Sequence, residues 1–93
     1  MAITIALPGA LRPYAGGSLE VMVDERCDTV EDVLGALAVH HAGVVDRVVD
    51  ETGELRRHVN VFVDGDNVRW LEGLQTAVEA DSTIVIVPAV SGG

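Results

Sequence analysis

The chain has 93 residues, 48% of them hydrophobic, and a formal charge of −9 from 15 acidic residues against six arginines and no lysine. This length and apolar content suit one domain with a modest core and exclude a disordered acidic segment. The charge is repelled by nucleic acid and anionic membranes and favours a partner with a basic surface.

Ala2–Leu7 alternates and is rich in isoleucine, which predicts a strand. Pro8-Gly9 and Ala15-Gly16-Gly17 bracket a turn or loop from which Leu11 can fold inward. Ser18–Asp24 sets Leu19, Val21 and Val23 against Glu20, Met22 and Asp24, the pattern of a half-buried strand that closes an antiparallel hairpin with the first. Thr29 then has the character of an N-cap, with Glu31 and Asp32 in the first turn where the helix dipole favours anions. Val30, Val33, Leu34, Leu37 and Ala38 keep helical spacing, and the helix is expected to end near His40–Gly43. Val44, Val45, Val48 and Val49 fit a short second helix or turn, and Glu51–Arg57 an exposed loop. Val59–Asp64 reads as a strand, Asp64-Gly65 as a tight turn, and Asn67–Trp70 as a short returning strand. Glu72–Asp81 is irregular or briefly helical, and the β-branched run Thr83–Val87 suits a strand buried in mid-sheet. The order is β-β-α-β-β-β, an α+β architecture with one main helix across one face of a mixed sheet of four to five strands.

The body offers little catalytic chemistry. Cys27 is the only cysteine, so it has no partner for an internal disulfide and no companions for a zinc site. His40 and His41 are adjacent, which sends them about 100° apart on a helix, and His58 is remote; no metal site is expected. No nucleophile elbow, P-loop or dinucleotide fingerprint is present. The apolar faces of two strands raise a separate question. Val59, Val61 and Val63 share one face, as do Val85 and Val87. If the single helix covers one side of the sheet, Val63 and Val87 become candidates for an exposed docking surface. Equally, these valines are core, and the strand pattern leaves the parity open.

The tail, Pro88-Ala89-Val90-Ser91-Gly92-Gly93, is the most informative segment. Two glycines after the last strand have nothing to pack and lose the most entropy on ordering, so they contribute little to a fold. They make sense if the Gly93 carboxylate is itself the reactive group. Lacking Cβ atoms, Gly92 and Gly93 can thread a narrow channel while Pro88, Ala89, Val90 and Ser91 contact its walls. Five residues beyond Pro88, fully extended, reach roughly 17 Å. The expected division is a body, residues 1–88, and a flexible tail, residues 89–93. The start, Met1-Ala2-Ile3-Thr4-Ile5, lacks a basic stretch and a cleavage site, and the apolar runs are short, so the expected location is the cytoplasm, off the membrane.

Several segments together resemble the ubiquitin-like sulfur carriers, the family of the ThiS, MoaD and CysO types. Leu11-Arg12-Pro13 with Gly16-Gly17 resembles the first loop of the cysteine-synthesis (CysO) type. His58-Val59-Asn60-Val61-Phe62-Val63-Asp64, Asn67-Val68-Arg69-Trp70 and Gly73-Leu74-Gln75-Thr76-Ala77-Val78 resemble its central signature, and the Gly-Gly tail is the most specific element. Two positions depart from the pattern: Glu79-Ala80-Asp81-Ser82 replaces an Asp-Gly-Asp turn, and Ser91 stands where alanine is common.

The resemblance implies a β-grasp fold and a carrier that is not itself an enzyme and binds no cofactor. It implies an E1-like adenylyltransferase that uses ATP and Mg²⁺ to activate Gly93. It also implies a sulfur-accepting synthase, of the PLP-dependent cysteine type or the thiazole, molybdopterin or thiosugar type, and a metalloprotease that releases the product. On this reading Gly92 is the steric gate, and Arg12, with the tail-proximal residues, meets the partner. Two other classes fit the same residues: a ubiquitin-like modifier joined to a target lysine, and a non-catalytic β-grasp binding module.

Overall fold

A computed structural model of the chain describes residues 2–88. Five strands form one sheet in the order β2-β1-β5-β3-β4: β1 is Ile3–Ala6, β2 Glu20–Val23, β3 Val59–Val63, β4 Asp66–Asn67 and β5 Thr83–Pro88. β5 pairs parallel with β1, and the other three pairings are antiparallel, so the sheet is mixed. One helix, α1 (Val30–Val48), crosses one face. This is the β-grasp arrangement, with the last strand in the middle of the sheet.

The start of α1 is fixed by reciprocal capping. Thr29 Oγ1 accepts the Asp32 N–H at 3.3 Å, while the Asp32 carboxylate accepts the Thr29 N–H at 3.2 Å and the Asp28 N–H at 3.0 Å. Those two backbone hydrogen bonds stabilise the ionised carboxylate and hold Asp32 below the usual carboxylate range. Val30, Val33, Leu34, Leu37, Val44 and Val48 are buried against the sheet, each worth about 1.5–3 kcal/mol relative to exposure. The expected break near His40–Gly43 appears as a kink: His41 has φ −137° and ψ 56°, and the helical run resumes to Val48. The segment expected as a short second helix is the helical run beyond this break, which continues to Val48.

The loop after β1 is a 3₁₀ helix, Gly9–Ala15, with Leu11 packed against the core as expected. Leu19 lies outside β2 and is 54% exposed, unlike the inward Val23. Asp64 and Gly65 both have positive φ (49° and 94°) and join β3 to β4, which suits the type I′ hairpin. β4 covers only Asp66–Asn67. The rest of the expected returning strand, Val68–Trp70, is a 3₁₀ turn because the Asn67 carboxamide accepts the Arg69 N–H at 2.9 Å and starts a helical turn there.

Register settles the parity of the valines. Val61 pairs with Ile86 and Val63 with Ile84, all under α1, whereas Phe62 pairs with Val85 and Asn60 with Val87 on the opposite face. Val63 is 7% exposed and Val87 39%. This corrects the placing of Val63 with Val87 on one docking surface: β3 turns Val63 into the core beside Val59 and Val61, and only Val87 faces outward.

Candidate functional site

The tail leaves from the best-held strand of the sheet. β5 is bonded along both edges, to β1 and β3, and its last residue, Pro88, pairs with Val59. Proline at this end terminates the ladder, since it has no N–H to donate. Pro88 is exposed. Ala89, Val90, Ser91, Gly92 and Gly93, the residues expected to carry the chemistry, lie outside the described residues.

Two surfaces adjoin this exit. The first is the face of the sheet opposite α1. Ala6, Val85 and Phe62 follow one another across β1, β5 and β3, with Val87 next along β5. Met22, 61% exposed, extends the apolar surface at β2, where the Thr4 hydroxyl donates to its Sδ at 3.2 Å. Asn60 and Asn67 close the other side, joined by an amide hydrogen bond of 3.3 Å. Arg12 is exposed on the 3₁₀ helix after β1, and its Nε lies 3.4 Å from the Gly17 carbonyl oxygen.

The second surface is a cleft of about 490 Å³ on the α1 side of the same sheet end. Val59, Ile86 and Leu11 supply its apolar lining and Pro88 part of its rim. Arg47, Arg56, His58 and a single acid, Asp46, supply its polar groups. Arg47 stacks on the Tyr14 ring, 3.7 Å from its centroid, and Nη1 donates to the Gly43 carbonyl at 3.3 Å. Arg56 Nε donates to the Asp46 carbonyl at 2.9 Å. Neither arginine is in a salt bridge with a described residue; the one ion pair among them joins Arg26 to Asp28 on the far surface. In a chain of charge −9 this brings two arginines together beside Asp46, with Asp50 close enough to Arg56 that, behind the Thr52 hydroxyl, the guanidinium helps hold its carboxyl below the usual range. Sequence reasoning missed it because Arg47, Arg56 and His58 come from the end of α1 and from the segment between α1 and β3. The only sequence signal was His58, at the head of the central signature.

Much of that signature has a structural explanation. Arg69 Nη2 lies within hydrogen-bond distance of the Arg56, Arg57 and Val59 carbonyls and gathers the chain entering β3. Trp70 is different: 81% exposed, it contributes little to the core. Cys27 is partly buried, and burial followed by the charges of Asp32, Glu25 and Asp28 raises its thiol pKa, the opposite of an activated nucleophile. Among the described residues, no group of three His, Cys, Asp or Glu side chains is placed to hold a metal ion. No helix among them is long and apolar enough to cross a membrane.

Residues 5–93 match the ThiS family. Sulfur carrier protein CysO of Mycobacterium tuberculosis (strain H37Rv) is 36% identical over 95 residues, covering all of both chains. The crystal structure of the Amycolatopsis orientalis BexX/CysO complex contains a chain with a TM-score of 0.88 and 36% identity, covering 99% of this chain and 100% of that one. SAMP1 of Haloferax volcanii, a small archaeal modifier protein, has a TM-score of 0.81 and 35% identity over all of both chains.

Proposed function

The chain belongs to the ThiS family and is a ubiquitin-like sulfur carrier rather than a catalyst; from that premise we propose that its working group is the Gly93 carboxylate, carried as a thiocarboxylate. What carries this reading is the continuity of β5, the central strand of the shared fold, with Pro88-Ala89-Val90-Ser91-Gly92-Gly93.

The chemistry follows from the weakness of a carboxylate as an electrophile. In an E1-like partner supplied with ATP and Mg²⁺, the Gly93 carboxylate attacks the α-phosphorus and pyrophosphate leaves. Sulfide, or a persulfide with a reductant, then displaces AMP from the acyl-adenylate. One oxygen has been exchanged for sulfur, and the ionised sulfur is a good nucleophile at neutral pH. Enclosure of the tail in the partner protects the adenylate from water. Residues 1–88 act as the docking body and residues 89–93 as the inserted tail, with Gly92 admitting the close approach. The open sheet face around Phe62, Val85 and Val87 is the surface offered to the activating partner, with Pro88 at the end of β5 and the exposed Arg12 as further contacts.

Cysteine synthesis is the favoured destination. Support comes from identity to the CysO relative along the whole chain. The acceptor is then an aminoacrylate on a PLP enzyme, and a metalloprotease releases the product. Because a CysO was solved together with BexX, a second acceptor of thiazole or thiosugar type belongs to the same reading. Likeness to SAMP1 favours one alternative, a modifier whose Gly93 forms an amide with a target lysine.

Intact-mass measurement after incubation with ATP, sulfide and an extract of the source cells separates these. The carrier reading expects a species heavier by the difference between sulfur and oxygen. It also expects that species to vanish when one residue is appended after Gly93. Conjugates that survive reducing thiols, with no thiocarboxylate, would favour the modifier. Charging of the extended chain would end the terminal-carboxylate mechanism.

A further inference from the structure

We propose that the free edge of β2 is a docking track for an extended basic segment of a partner protein. The segment adds to the sheet as a further strand, sets an aliphatic side chain against α1 and lays lysine or arginine among the acids at the end of β2. The proposal is independent of the sulfur chemistry. Three observations meet at this edge. First, backbone: β2 pairs with β1 alone. The Leu7 N–H donates to the Leu19 carbonyl at 2.8 Å. The alternation of an antiparallel ladder then turns the backbone groups of Val21 and Val23 toward β1 and leaves the N–H and C=O groups of Glu20 and Met22 pointing away from the sheet. Strand addition by an extended chain satisfies such groups.

Second, shape: a groove of about 120 Å³ runs between β2 and α1. Val21, Ala36 and Leu37 give it apolar walls, and the exposed Glu25 and His40 stand beside them. Every second side chain of an added strand falls on the α1 side. The residue opposite Val21 therefore enters this groove, whose size suits one branched aliphatic side chain. Third, charge: a larger cleft, about 410 Å³, lies at the end of β2 and shares Glu25 with the groove. It sets the carboxylates of Asp24, Glu25, Asp28 and Glu79 against one guanidinium, that of Arg26, which lies 3.9 Å from Asp28. Burial first, and then the charges of Asp32, Glu25 and Asp28, raise the Cys27 thiol in the same cleft. At the other end of β2, Arg12 Nε lies 3.4 Å from the Gly17 carbonyl oxygen, so the excess of acid is at the Asp24 end.

These charges choose the occupant. A second β2 laid antiparallel on the first and centred on Met22 would set Glu20 against Asp24, and like charges directly opposite destabilise a pair. Each copy also carries a charge of −9. Short, charged edge strands commonly prevent such self-pairing. The same acids attract a strand that bears lysine or arginine opposite Glu20 and Asp24, with aliphatic residues opposite Val21 and Val23. Main-chain hydrogen bonds then supply affinity, while the groove and the acids select the sequence.

The test is NMR titration of the intact, isotopically labelled chain with the peptide Lys-Lys-Val-Thr-Val-Lys-Lys, capped at both ends. Its sequence reads the same in both directions, so either strand orientation is sampled. Shifts are expected to concentrate at Glu20–Glu25 and Ala36–His41, with slower exchange of the Glu20 and Met22 amide hydrogens. Proline in place of the peptide's threonine removes the N–H that meets Met22 and should weaken binding about tenfold. Ala36→Leu, which fills the groove, should do the same, and Asp24→Asn combined with Glu25→Gln should weaken it severalfold. Unchanged amide dispersion shows that the variants remain folded, and the proline peptide leaves the protein untouched. No binding, shifts spread over the whole acidic surface, or equal affinity for the proline peptide would overturn the proposal. Shifts at β2 that depend on protein concentration without peptide would also overturn it, by giving the edge to a second copy.

Discussion

At the scale of single residues, Ser82 and Asp64 show how a departure from a family pattern is absorbed. Ser82 is 2% exposed, yet both capacities of its hydroxyl are used. It accepts the Glu79 N–H at 2.8 Å and donates to the Asp64 carboxylate at 2.9 Å; the other Asp64 oxygen accepts the Thr83 N–H at 2.9 Å. A turn without glycine before β5 is thereby tied to the β3–β4 hairpin. Ser82→Ala should cost about 1–3 kcal/mol in urea denaturation, the loss of one hydrogen bond to a charged carboxylate and one from a backbone N–H. A change below a few tenths would mean that water replaces the hydroxyl. None of this was legible from the sequence, where Glu79-Ala80-Asp81-Ser82 read only as an altered turn. A hydrogen bond across eighteen positions has no local signature.

At the scale of elements, α1 supports two predictions. The lowered pKa of Asp32 means that its capping contribution is complete above the unfolded value, about 3.9, and is lost as pH falls through the lower folded value. The stability difference between the native chain and Asp32→Asn, followed by urea melts, should be flat above about pH 5 and shrink below about pH 4. A constant difference down to about pH 2 would show that charge plays no part in the cap. Gly35 lies in mid-helix with nothing within 4 Å of where a Cβ would sit, so Gly35→Ala should stabilise by about 0.5–1 kcal/mol. Gly43→Ala should fall short of that gain, because its Cβ would meet Tyr14 Cδ1 at 3.2 Å. Equal gains in thermal melts would mean that the ring yields freely. Helical spacing made α1 legible as far as Ala38. Beyond it, His40-His41-Ala42-Gly43 has no apolar stripe, and the sequence alone does not distinguish a kink from a stop. The strand parities were illegible for a related reason: β3 and β5 carry apolar residues on both faces, so only their pairing register decides which face is inside.

At the scale of the whole molecule, the sheet separates support from contact. Val87→Asp should leave the fold intact and weaken docking to the activating enzyme by tenfold or more in Kd, roughly one well-buried apolar contact. Unfolding, seen by circular dichroism, would instead make Val87 structural, and unchanged affinity would move the interface elsewhere. The chemistry proposed for the tail is legible in the sequence because it is contiguous. The cleft was not, because folding alone brings Arg47, Arg56 and His58 together. The parallel pairing of β1 with β5 has a last consequence. Thr4 and Thr83, nearly eighty positions apart, are partners, so the first strand made by the ribosome waits for the last, and closure of the sheet depends on non-local contact. A copy cut short before β5 lacks the strand that joins β1 to β3, so nascent and truncated chains cannot close the sheet.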